Sequence, residues 1–133
     1  MSRRMDWQAA LTDYVVGQMR APFGYGRHDC ALFTAGAVAA MTGTDHAVGW
    51  RGYRSRAAGL RKLQERGFDD HIALVASLLP EIHPAFAHPG DVAVVAGDDG
   101  PALGIVQGEA IYVLRRDGLG LVPLTSAERA FRV

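Results

Sequence analysis

With 133 residues, 49% of them apolar, the chain is long enough for one domain with a proper core and too short for two. Its 14 basic and 14 acidic residues cancel, which argues against a dedicated nucleic-acid binder with its usual positive excess. One cysteine excludes an internal disulfide framework, and no apolar run approaches the ~18 residues of a membrane span.

The first element is an amphipathic helix. Trp7, Ala10, Leu11, Tyr14, Val15 and Met19 recur at three- and four-residue spacing, predicting a helix from about Asp6 to Arg20, capped by Asp6 and stopped by Ala21-Pro22. The preceding MSRRMDWQ lacks the apolar core of a secretory signal, so synthesis in a reducing cytoplasm is expected. APFGYGRH is a glycine-punctuated loop. Asp29 then reads as the N-cap of a second helix, CALFTAGAVAAMTG, which is apolar nearly all round and therefore belongs inside the domain. Residues 44–54 read as loop.

Ser55 caps a third, basic helix to about Arg66, closed by Gly67. A fourth runs from about Asp70 to Leu79, with Ile72, Val75, Ala76 and Leu79 on its apolar side and Pro80 at its end. After Pro89 the pattern changes. DVAVVAG, PALGIVQG, AIYVLRR and LGLVPL are short apolar runs separated by GDDG, GE and DGLG turns, which predicts an antiparallel meander. The GDDG turn lacks the ligand spacing of a calcium loop. Thr125 and Glu128 stand at capping-box spacing and predict a last helical turn. Helices first and strands second make a single α+β domain over residues 1–133.

Cys30 is the residue with chemistry. A thiol at a helix start sits near the positive end of the helix dipole, which favours the thiolate, while the charge of Asp29 beside it works the other way. The plainer alternative is a buried cysteine acting as a small hydrophobe. A nucleophilic thiol needs a base within about 2.6–3.2 Å. His28, two residues away, is the candidate in reach; His83 and His88 read as surface or hinge residues, and His46 and His71 as solvated residues near helix starts. No set of three or four ligands with matched spacing points to a metal, and no cofactor motif is present.

The order of these features resembles the NlpC-type cell-wall cysteine peptidase superfamily, compact relatives of the papain fold. The shared features are an apolar helix, a P-F-G-Y-G loop, Asp29-Cys30 opening a buried helix, and Pro89-Gly90-Asp91 leading into a meander. The chain is also similar to a group of short phage and prophage proteins sharing GRHDC-x-L-F, an R-G-Y stretch, an A-L-G segment and a late Pro-Leu. Such proteins are typically encoded among tail-tip genes. The resemblance implies an NlpC/papain-like fold with helices packed on the meander sheet, and Cys30 at the nucleophile position. It also places Ala102 where the superfamily's strand, His-Val-Gly-Ile, carries the general base, because here the strand reads Ala102-Leu103-Gly104-Ile105. Phe23 matches the loop tyrosine near the superfamily's oxyanion site, with Tyr25 as a neighbouring substitute.

The first expectation is a tail-tip structural or assembly component with a degraded peptidase site. It would be made in the host cytoplasm, carried in the virion tail, and partnered by tail-tip and hub proteins. The second is an active peptidase or amidase acting on peptidoglycan during DNA entry, with Cys30 attacking, His28 as base and the Cys30 backbone N–H at the oxyanion. The third is an intracellular regulatory or binding protein. The stretch RGYRSRAAGLRKLQER holds six basic residues and one acidic. Arg51, Arg54, Arg56, Arg61 and Trp50 are therefore candidate docking residues, against the plainer reading of a solvated helix face. Neither a nucleic-acid partner nor a membrane span is expected.

Overall fold

The computed structural model of the chain describes residues 2–133. Four helices come first: α1 (Trp7–Gln18), α2 (Cys30–Thr42), α3 (Arg56–Glu65) and α4 (His71–Leu78). The strands follow: β1 (Glu81–Ile82), β2 (Val92–Gly97), β3 (Gly100–Val106), β4 (Ala110–Arg115), β5 (Gly118–Pro123) and β6 (Arg129–Phe131). They form one antiparallel sheet in the order β1-β6-β2-β3-β4-β5. The meander expected after Pro89 is β2 to β5. The α+β class and the helices-then-strands order are as the sequence implies.

Three of the expected caps are made by side chains. Asp29 accepts from Leu32 N, Ser55 from Ala58 N and Asp70 from Ala73 N, each satisfying an amide that the helix leaves without a partner. Asp6 is different: it stands at the N-cap position of α1 without a side-chain cap bond, and its carboxylate pairs with Arg4 at 3.3 Å. The tail also departs from expectation. Leu124–Ser126 is a short 3-10 turn, and the residues after it extend into β6. Pairing explains this: Glu128 N donates to the Val94 carbonyl, and β6 fills the place between β1 and β2. A backbone partner across the sheet outweighs a local capping pattern of three residues.

Both faces of the sheet are covered, which is why β2 reads as a continuous apolar run. Val92, Val94, Leu103, Ile105, Leu114 and Phe131 face the helices and join Phe33, Val38 and Met41 of α2. Alternate residues Ala93, Val95, Val106, Ile111 and Val113 form a second cluster, packed by Ala87, Val122, Leu124 and Ala127. Helix α2 lies between α1 and the sheet, touching β3 and β4. Its approach to α1 is close because Gly36 has no side chain: a Cβ there would meet the Tyr14 hydroxyl at 2.2 Å. That hydroxyl donates instead to the Phe33 carbonyl at 2.8 Å. Only Leu11 and Val15 of the predicted α1 stripe are buried, and Met19 is 61% exposed at the frayed end.

Candidate functional site

The loop of residues 21–28 ends in a tight bridge, with Gly24 N donating to the His28 carbonyl at 2.9 Å and His28 N to the Gly24 carbonyl at 2.8 Å. Gly26 allows this turn, at φ +76, and a Cβ there would strike the Tyr53 carbonyl at 1.8 Å. The turn delivers Asp29 into the interior. One of its carboxylate oxygens caps α2 through Leu32 N at 2.9 Å; the other accepts from Gly26 N at 3.1 Å and from the Tyr53 hydroxyl. Every bond to this buried carboxylate is thus neutral.

Cys30 is the first residue of α2 and lines a cleft of about 560 Å³ between the α3–α4 pair and the body formed by α2 and the sheet. Its thiol is pushed up to about 11, first by burial and then by the charge of Asp29, against relief from the Leu103 backbone and the amides of Ala31 and Cys30. Desolvation wins over the helix-start amides, so the group is a neutral thiol at neutral pH.

The structure brings Phe23, Tyr25, Asp29, Cys30, Trp50 and Arg56 to this one cleft, whereas Ala102, at its edge, pairs with Val95 and turns its methyl into the second cluster, on the sheet face away from the helices. Phe23 and Tyr25 stack edge to face at 5.0 Å, and the Tyr25 hydroxyl accepts from Arg116 at 3.0 Å. It does not bring His28 there. That ring lies against the Gln18 carbonyl at the end of α1, and burial holds its imidazole below the usual histidine range.

His71 and His46, expected to be solvated, line the cleft instead. The Nε2 atoms of His28, His46 and His71 are buried without hydrogen-bond partners, and no imidazole is among the groups that act on the Cys30 thiol. His71 stands beside the Pro101 carbonyl, and burial lowers its pKa more than Asp70 and Asp29 raise it. His83 Nδ1 accepts from Ala85 N, and both His83 and His88 are exposed, as expected. His71, Leu74, Val75 and Leu78 form a helical stripe facing the cleft, offset from the core stripe of α4. The spacing was present in the sequence; a second stripe sharing one helix with the first hid it. Among the described residues, no group of His, Cys, Asp and Glu side chains is placed to hold a metal ion.

The candidate docking residues divide. Arg51 pairs with Asp45 at 2.9 Å, Arg56 donates to the Asp99 carbonyl, and Trp50 carries the Arg66 guanidinium over its ring at 4.4 Å. Arg54 and Arg61 are exposed. Among the described residues, no helix is long and apolar enough to cross a membrane.

A buried helix opening on Asp-Cys, packed on an antiparallel sheet beside a cleft, defines an NlpC/p60-like α+β fold. A solved structure of that class, the NlpC/p60 domain of the peptidoglycan hydrolase SagA, superimposes with a TM-score of 0.60 at 15% identity, covering 94% of this chain and 97% of that one. Over residues 2–133 the chain matches, and belongs to, the family described as Domain of unknown function (DUF6950). No curated protein matches it.

Proposed function

We propose that the protein is a phage or prophage tail-tip structural or assembly component, built on an NlpC/p60-like fold whose cysteine performs no hydrolysis. The observation that carries the non-hydrolytic reading is the state of Cys30: a half-buried thiol at the cleft wall, raised to about 11, with no imidazole among the groups that set its acidity. Ala102 stands at the strand position to which the resemblance assigns the base, its methyl lies on the sheet face away from the helices, and the strand residue that faces them is Leu103; neither side chain accepts a proton. The order of motifs from GRHDC to the late Pro-Leu supports the tail-tip assignment. On this reading the chain is made in the host cytoplasm and carried in the virion tail, where Arg54 and Arg61 contact an acidic face of a hub protein.

Two measurements test the reading. Iodoacetamide labelling of Cys30 should rise about tenfold per pH unit from pH 6 to 9 without a plateau, as expected of a thiol that titrates well above that range. Peptidoglycan incubated with the wild type should release no more fragments than with Cys30→Ser. Release by the wild type alone would establish the alternative, a peptidoglycan-cleaving cysteine peptidase. For the assembly role, Arg54→Glu with Arg61→Glu should abolish association with purified hub proteins and leave the Tm unchanged; unaltered association removes the proposed contact.

A further inference from the structure

A cleft that performs no hydrolysis still has a chemistry of recognition, and its depth shows an imbalance. Thr34 lies one helical turn after Cys30 on the same face of α2. It is 3% exposed, it lines the cleft, and its Oγ1 has no hydrogen-bond partner. His71 Nε2 and His46 Nε2 line the same cleft and are equally unpartnered. Buried polar atoms are nearly always satisfied, so three unsatisfied ones around one cleft call for an explanation. Away from this cleft, His28 Nε2 is the remaining unpartnered buried side-chain atom among the described residues.

The one buried charge at the cleft is already committed, and Asp69, Asp98 and Arg115, which also line it, are exposed. Asp29 spends its carboxylate on Gly26 N, Leu32 N and Tyr53. At the rim, Arg56 holds the Asp99 carbonyl, and Arg116 holds the Asp99 carboxylate at 2.7 Å and the Tyr25 hydroxyl. What is left at depth is a hydroxyl, two imidazoles and a thiol. The walls around them are apolar, among them Leu60, Leu63, Leu74 and Leu78. The volume, about 560 Å³, is that of a site that encloses a small ligand or a few peptide residues.

We propose that this cleft is a receptor for a neutral peptide segment bearing a large apolar side chain, contributed by a partner protein. The peptide's amide groups meet Thr34, His46 and His71, and its side chain fills the leucine-lined wall. A carboxylate entering the same space would lose its hydration beside the negative Asp29, while the arginines of the cleft stay exposed at its rim, so acidic peptides are rejected. The proposal rests on the non-hydrolytic reading and gives that reading a partner chemistry.

The test is a titration followed by heteronuclear NMR, with the full chain and two probes, N-acetyl-Ala-Leu-Ala-amide and N-acetyl-Ala-Glu-Ala-amide. The leucine peptide should shift the amides of Cys30, Thr34 and His71 and bind at least tenfold more tightly than the glutamate peptide. Thr34→Val, nearly isosteric, should weaken the leucine peptide about tenfold, the loss of one buried hydrogen bond. His71→Phe serves in the same way should Thr34→Val misfold. Equal affinity for the two peptides, absence of binding, or shifts confined elsewhere overturn the proposal and leave the state of Cys30 untouched. Recovery of the leucine peptide in cleaved form, read by mass spectrometry, instead overturns the non-hydrolytic reading and leaves the recognition chemistry standing.

Discussion

Two aspartates, Asp29 and Asp91, are buried to a similar degree, 5% and 1% exposed, and each opens an element of the fold. Asp91 precedes β2. Its carboxylate accepts from Arg3 at 2.8 Å, from Val133 N at 3.0 Å and from His88 N at 2.9 Å. Arg3 in turn donates to the Val133 and Pro89 carbonyls, so one ion pair ties both ends of the described chain to the start of the sheet. Asp29 precedes α2 and has amides and a phenol for partners, with no cation among them. The difference separates a lock from a site. At Asp91 the charge is matched by an arginine and serves cohesion. At Asp29 it is held by neutral donors, and its surplus field falls on the thiol next door.

Removing the lock should have the largest effect. Asp91→Ala leaves the Arg3 guanidinium, 17% exposed, without its counter-charge and strands two backbone amides. A cost of about 3 kcal/mol is expected, at the low end for a broken buried pair because Arg3 keeps two carbonyl partners. The Tm should fall by roughly 10 °C. A drop no larger than that of Asp29→Ala would erase the distinction between the two sites.

Asp29→Ala should cost less, about 2 kcal/mol, from the lost cap and an unpaired phenol. The sharper variant is Asp29→Asn, which keeps an acceptor for the cap and removes the charge. Since Asp29 raises the Cys30 pKa, the amide should speed labelling of the thiol at a fixed pH. Because burial is the larger cause, the thiol in Asp29→Asn should still titrate above its ordinary value of 9.0. Unchanged labelling would mean that the field of Asp29 does not reach the sulfur.

How much of this could be read in advance depends on the range of the interaction. Caps made within three residues, at Asp29, Ser55 and Asp70, are local chemistry and are written in adjacent letters. The same holds for the meander, whose turns carry their own glycines. The Arg3–Asp91 pair spans 88 positions, and nothing near either residue announces the other. The missed strand β6 follows the same rule, since its backbone partners lie in β1 and β2. The cleft was half legible: Cys30, Asp29 and the P-F-G-Y-G loop sit together in the chain, whereas Tyr53, His46 and His71 arrive from separate elements. His71 was misplaced for a specific reason. A histidine at the first turn of a short helix looks solvated unless the element that covers it is known.

The smallest expected effect concerns that histidine and asks whether the site contributes to pH sensitivity. Burial disfavours the His71 imidazolium, and Asp70, the Pro101 carbonyl and Asp29 only partly restore it, with Arg56 adding to the opposition. Its folded pKa therefore lies below the ordinary 6.5 at which the unfolded chain takes up the proton. Between the two values the unfolded state binds more protons, so stability increases with pH across that window. The contribution is complete above about 6.5 and shrinks as the pH falls toward the folded value. His71→Phe keeps a ring in the cleft and removes the titration, so its stability from pH 7 down to pH 5 should decline less steeply than that of the wild type. Denaturant melts at half-unit pH steps measure the two slopes. Identical slopes would place the His71 ring in water and remove it from the recognition chemistry of the cleft.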